Sequence, residues 1–150
     1  SAFIEQGVLQ KEKKKGVPKN GWIYHIPFRD GIVDDYISAR GLNRLTQKYL
    51  GITPDGAELF QLANLGNKNA LLIFQKFGEN LLEAVEPFLD EFEPDALVLG
   101  GQIAKSFPYF GNLLKAECEK RKIDIIISQD TSIRILQGLY KICLQKELDT

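Results

Sequence analysis

The stretch "EPDALVLGGQIAKSF", residues 93–107, decides how the rest of the chain is read. An acidic turn marked by Pro94 leads into four apolar residues, Ala96 to Leu99, without polar alternation. Such a run fits a strand covered on both faces, as in a parallel sheet with helices above and below. Gly100 and Gly101 follow at once, and then a helical pattern. Two adjacent glycines at the end of a buried strand have two explanations: a helix packing closely on the strand, or a ligand that must touch the backbone. The position suits a ligand, because an α/β sheet opens its crevice at the carboxyl ends of its strands, where the first amides of a helix are unpaired donors. The three-glycine dinucleotide fingerprint and the phosphate-loop lysine are both missing, so packing and ligand contact stay open on the residues alone.

Working outward, the helical pattern runs from about Gln102 to Lys122, interrupted near Pro108 and Gly111, and Ile123 to Ser128 form a second β-branched run. Strand, crossover helix and strand make a βαβ unit. The segment "TSIRILQGLYKICLQKE" is apolar nearly all round and predicts a helix packed between neighbours, with Gly138 in its middle wanting a close-packing or ligand reason. Upstream, Ala70, Phe74, Phe77, Leu81, Val85, Phe88 and Phe92 recur at steps of three and four, so Asn67 to Phe92 predicts one long helix with an apolar face. Aromatics at helical spacing report burial before any cofactor role. Pro87 removes the amide that would bond the Glu83 carbonyl, which predicts a kink or break there. Two shorter helices are expected before it. One runs from a Ser38 cap to Gly51 with Leu42, Leu45 and Tyr49 on a stripe; the other starts at Thr53 and Pro54.

The first thirty residues read as extended structure. Phe3-Ile4 and Val8-Leu9 about Gly7 suggest a small hairpin, and "GWIYHIPF" alternates Trp22, Tyr24 and Ile26 against Ile23 and His25 as a strand stopped at Pro27 would. Between them the five lysines from 11 to 19 sit among Gly16, Pro18, Asn20 and Gly21, the pattern of a solvated loop.

Composition sets the limits. At 150 residues, 44% hydrophobic and 26% charged, the chain can build one domain, residues 1–150, with a real core. The formal net charge is -1 and the one dense basic run is "KEKKK", so no broad cationic face for nucleic acid is expected. Cys118 and Cys143 stand alone in helical stretches, without a nearby second cysteine, and read as buried reduced thiols of a cytoplasmic protein. No run approaches the ~20 apolar residues of a membrane span, so no membrane partner is expected. The chain starts at Ser1 beside an apolar stretch and has no methionine, which suggests a piece of something longer.

Several of these stretches together resemble a known family. "ANLGNKNALLIFQKFGENLLEAVEPFLDEFEPDALVLGGQIAKSF", then a strand, then "QGLYKI", resembles the carboxyl-terminal half of the ROK family, whose members are ATP-dependent sugar kinases such as glucokinase and related sugar-responsive repressors. "SAFIEQGVL" is similar to the segment after that family's phosphate loop, and "GWIYHIPFRDGIVDDYIS" to its sugar-contacting stretch, so the resemblance covers nearly the whole chain. It implies an α/β, ribonuclease-H-like (actin-like ATPase/hexokinase) domain, three-layered, with a mixed sheet and several helices. It also implies ATP with magnesium and a sugar bound in a cleft between two such domains, the amino-terminal one being absent from this chain. A homodimer is a further option.

Carried over residue by residue, Gly100 and Gly101 resemble the paired glycines lying along the adenosine, with Gln102 opening the next helix. His25 takes the place of the family's histidine, and Asp34 that of a glutamate that hydrogen-bonds sugar hydroxyls; a carboxylate suits that role by accepting two hydroxyl hydrogens in fixed geometry. Read on their own, His25 is a packed strand residue and Asp34-Asp35 an ordinary acidic turn. The sequence departs from the family at Trp22, where a sugar-binding glutamate is usual, and at Tyr24, where glycine is. The closely spaced cysteines of zinc-bearing members are missing between His25 and Ser38, so no zinc is expected. The family's catalytic aspartate and phosphate loops would precede residue 1, so this chain by itself is expected not to turn over, and no catalytic residue is assigned within it.

Overall fold

In the computed structural model the described residues are 1–128; the apolar segment after Thr131, with Gly138 and Cys143, lies outside them. The architecture is α/β, built on one long helix. The first short helix is α1 (Asp34–Ile37), followed by α2 (Ala39–Leu50), α3 (Gly56–Asn64) and the long α4 (Lys68–Phe92). Asn67 caps α4 by accepting the Ala70 amide at 3.0 Å, and Ala70, Ile73, Phe74, Phe77, Leu81 and Val85 are buried along one face, as the spacing predicts. A face of this kind is stable only when other elements cover it, and α1, α2, α3, α5 (Phe107–Phe110) and α6 (Asn112–Arg121) all pack against α4. The expected break at Pro87 does not occur. The helix runs through to Phe92, and Pro87 lies exposed, where water can take the carbonyl it leaves unpaired.

The shorter helices follow local chemistry. Ser38 caps α2, accepting the Arg40 amide at 3.1 Å, and Gly51 closes it, as expected. α3 starts later than Thr53-Pro54 suggest: Asp55 accepts the Ala57 and Glu58 amides at 2.9 and 2.8 Å, and the Glu58 carboxylate takes the Asp55 amide at 2.9 Å. The reciprocal pair satisfies orphan donors that Thr53 and Pro54 would leave open.

Among the described residues the strands form three separate pairs. β1 (Phe3–Glu5) and β2 (Val8–Gln10) make the expected hairpin, and Phe3 docks edge-on against Phe88 and Phe92 at the end of α4, with ring centroids 5.7 and 5.2 Å away. The lysine loop that follows is exposed at its lysines yet anchored at Gly16 and Val17, which are buried. A Cβ on Gly16 would stand 2.4 Å from the Phe92 amide nitrogen, so only glycine lets the loop lie against the helix end.

Trp22 to Ile26 is not a strand. The Ile26 amide bonds back to the Ile23 carbonyl at 3.1 Å, closing a turn, and the strands are the short β3 (Pro27–Phe28) and β4 (Gly31–Ile32), antiparallel about Arg29 and Asp30. Pro27 therefore begins a strand instead of stopping one, in a first position where proline's missing amide is tolerated.

β5 (Ala96–Leu99) and β6 (Asp124–Ile127) pair in parallel, Ala96 opposite Asp124 and Leu99 opposite Ile127. The Asp124 amide to the Asp95 carbonyl (2.9 Å) and the Ser128 amide to the Leu99 carbonyl (2.8 Å) extend the ladder at both ends. Leu97, Leu99 and Ile125 pack against the helical core, but Val98 and Ile126 are 59% and 50% exposed. Among the described residues the pair is thus covered on one face, where the unbroken apolar run suggests cover on both. A single mixed sheet is likewise not formed among the described residues.

Candidate functional site

β5 ends at Leu99, and Gly101 takes up φ 91°, ψ 171°, a conformation essentially closed to residues with a Cβ. Among the described residues no atom lies within 4 Å of where that Cβ would stand. Among the described residues, then, close packing does not select glycine at 101; the backbone conformation requires it.

Beyond Gly101 the chain does not enter an α-helix directly. Gln102–Ser106 form a 3-10 turn whose Ala104 amide bonds to the Gly101 carbonyl at 3.2 Å, and only then does α5 begin. The expectation of a helix with free leading amides at Gln102 is corrected accordingly: so short a turn offers little dipole. Gln102 is exposed, while Ala104 and Ser106 are buried and seat the turn against its neighbours.

The second group of expected residues comes together around α1. The Asp34 amide bonds to the Tyr24 carbonyl at 2.9 Å, and the Val33 amide to the Ile26 carbonyl at 3.0 Å. The turn carrying His25 is thus tied by backbone to the residue before α1 and to the start of α1, where Asp34 lies. His25 is exposed, with its ring edge-on to Tyr24 at 5.1 Å, so the packed-strand reading of this histidine fails. Asp34 pairs with Arg40, which also approaches Asp35 at 3.7 Å. Hydrogen bonding to Asp34 holds the Arg40 guanidinium above its ordinary pKa.

The surrounding network was not read in the sequence. Arg29 donates to Asn80 at 2.8 Å and to Glu83, which raises its pKa, and its guanidinium lies over the rings of Phe28 and Tyr36 at 5.1 and 5.2 Å. Tyr36 donates to Asp30; that bond lowers the Asp30 carboxyl and raises the Tyr36 phenol. The Arg44 guanidinium also lies over the Tyr36 ring, at 4.7 Å, and reaches Asp30 at 3.7 Å. The alternation of opposite charges in "FRDGIVDDYISARGLNR" is the signal that could have pointed to it. The arrangement can grip polar groups, with fixed acceptors at Asp30, Asp34 and Asp35 and fixed donors at Arg40 and Arg44.

An open depression on α2 is lined by Arg40, Asn43, Arg44, Gln47 and Lys48. It borders Asp34 through Arg40, and none of Gly100, Gly101 and Gln102 lines it. Gly100, Gly101 and Gln102 belong to a separate element, the end of β5. Among the described residues no three His, Cys, Asp or Glu side chains converge as metal ligands, Cys118 is a buried free thiol, and no helix is long and apolar enough to cross a membrane.

The model of the ROK family matches residues 27–136. Among solved structures, that of a candidate sugar kinase from Cytophaga hutchinsonii is similar in fold, with a TM-score of 0.67 at 20% sequence identity, covering 81% of this chain and 46% of that one. The chain thus spans about half the length of the protein it resembles. No curated protein matches the sequence.

Proposed function

The chain belongs to the ROK family, and on that premise we propose that it is the carboxyl-terminal half of a two-domain, cytoplasmic, ATP-dependent hexose kinase with the actin-like fold. The observation that carries the reading is Gly101, just past the carboxyl end of β5: its backbone turns in a conformation reserved for glycine, and none of the described residues comes within 4 Å of where a Cβ would stand. A purine and ribose could lie against such a wall, and the residues present fit that use.

In this reading Gly100, Gly101 and Gln102 hold the adenosine side of ATP. His25 and Asp34, tied together through the Tyr24 carbonyl, contact the sugar. ATP supplies the phosphoryl group, and magnesium neutralises its charge. Magnesium, the phosphate loops and the aspartate that deprotonates the sugar hydroxyl would be provided outside this chain. What these residues do is bind and orient two substrates, which by itself accounts for a large part of such a barrier.

One observation favours a second reading. Asp34, the expected acceptor of sugar hydroxyls, is paired with Arg40. A carboxylate held by a guanidinium can still bind hydroxyls while being poorly placed for turnover, as would suit a sugar-sensing regulator or a non-catalytic sugar-binding protein on the same fold. Assaying the complete protein for ATP-dependent phosphorylation of a panel of hexoses and amino sugars separates the two. Phosphate transfer to one or more of them is the expected result, and sugar binding without transfer would favour the regulator.

A further inference from the structure

Trp22 and Tyr24 are 44% and 46% exposed, more than any other Phe or Tyr among the described residues. Their rings lie together, centroids 5.9 Å apart at 39°, and His25 sits edge-on to Tyr24 at 5.1 Å. The exposure is not that of a loose loop. Ser1 Oγ donates to the Gly21 carbonyl at 2.9 Å and accepts the Ile23 amide at 3.0 Å, the Tyr24 carbonyl holds the Asp34 amide, and Ile23, between Trp22 and Tyr24 in sequence, packs on the core. The backbone is pinned on both sides of two adjacent rings that the described chain leaves nearly half exposed. Holding such surface open to water costs stability that burial would recover, so a contiguous exposed apolar patch of this kind marks a binding surface.

We infer that Trp22 and Tyr24 form a stacking wall for the C–H face of a sugar ring, with His25 and Asp34 at its polar edge; this rests on the sugar-binding reading above. The rings present negative π faces to the slightly positive ring hydrogens of a pyranose, and the groups beside them can satisfy a rim of hydroxyls. A nucleobase would also stack, but the edge beside the rings pairs Asp30, Asp34 and Asp35 with Arg40 and Arg44, so its cations are already engaged and add little pull on phosphates. A neutral polyhydroxyl ligand suits that edge better.

The test uses the complete protein with Trp22→Ala, Tyr24→Ala and the conservative Trp22→Phe, checked by circular dichroism for unchanged fold. KM is measured separately for ATP and for glucose, mannose and N-acetylglucosamine, and sugar binding is followed by calorimetry and by the Trp22 fluorescence lost in Trp22→Phe. The alanine variants should raise the KM of the preferred sugar by about tenfold, leave the KM for ATP within about twofold, and be largely rescued by phenylalanine, as expected for one aromatic stacking contact. An active enzyme whose sugar KM is unmoved by either alanine overturns the stacking wall while leaving the kinase reading intact. A rise in the ATP KM instead assigns the wall to the nucleobase and overturns it equally. Wild-type protein that binds none of the sugars removes the parent reading and this one together.

Discussion

Alanine at Gly78 and alanine at Gly56 make the same chemical change in two helices, with opposite expected signs. In α4, a Cβ on Gly78 would stand 2.1 Å from the Phe110 carbonyl oxygen and 3.0 Å from its carbon, more than 1 Å inside ordinary contact. The obstacle is backbone, which cannot rotate aside, so α5 must retreat and with it the edge-on contact of Phe77 and Phe110 at 5.3 Å. Overpacking of this severity belongs at about 3 kcal/mol, the upper end of its usual range. Against it stands about 1 kcal/mol gained from alanine's helix propensity. The net loss is about 2 kcal/mol, or roughly 4–8 °C in Tm for a domain of this size. Gly56 opens α3 without positive φ and has no atom within 4 Å of its Cβ position, so alanine there should stabilise by about 0.4–1 kcal/mol through the unfolded chain. Thermal and urea unfolding of both variants, followed by circular dichroism, measures the difference. A Gly78→Ala protein as stable as wild type would refute the backbone contact between α4 and α5. Because α5 follows directly from the 3-10 turn after Gly101, it would also refute the support described for that corner.

Gly101→Ala should cost about 1–3 kcal/mol from its forbidden backbone angle and raise the ATP KM of the complete protein; Gly66→Ala, also at positive φ and unobstructed, should cost stability while leaving the ATP KM unchanged, so equal kinetics in the two variants would count against a nucleotide at the β5 corner. Burial pushes the Cys118 thiol above its ordinary pKa, so the folded state prefers it neutral: its contribution to stability is complete below the unfolded thiol's pKa and is lost as pH rises through the folded one. Thiol titration at pH 8 should accordingly find Cys118 unreactive until the protein unfolds, and rapid native labelling would contradict its burial. Hydrogen bonds from Lys120 and Arg121 hold the Glu117 carboxyl below its ordinary value, so the stability they lend is present above the usual carboxylate range and lost as pH falls through the folded value. Arg121→Met should be less stable at pH 6 yet lose less on going to pH 3 than wild type, as read from urea midpoints; parallel losses would show that the pair contributes nothing.

Much of the scaffold was legible because it is written in local periodicity. The steps of three and four from Ala70 to Phe92, the Ser38 and Gly51 caps of α2 and the β-branched runs of β5 and β6 each declare their element within a few residues, since helix and strand repeat their side-chain directions at fixed intervals. "GWIYHIPF" misled for the same reason in reverse. Its alternation is real, but a strand needs a partner, and the hydrogen bonds that bend residues 23–26 into a turn are completed by Val33 and Asp34 from further along the chain. Pro87 does not break α4 because a missing amide ends a helix only where nothing replaces the lost bond, and its exposure on α4 could be known only from the packed structure.

By itself the sequence determined the α/β class, the long central helix, the βαβ unit and the resemblance that made Gly100, Gly101, His25 and Asp34 candidates. Tertiary structure alone decided that Val98 and Ile126 stand half-exposed on β5 and β6, that Gly101 takes a backbone angle only glycine tolerates, and that His25 stands exposed beside a charged network centred on Tyr36. The physical reason is that burial, charge pairing and open space arise between residues distant in the chain. A local pattern can say which face of an element is apolar, but not what will come to cover it.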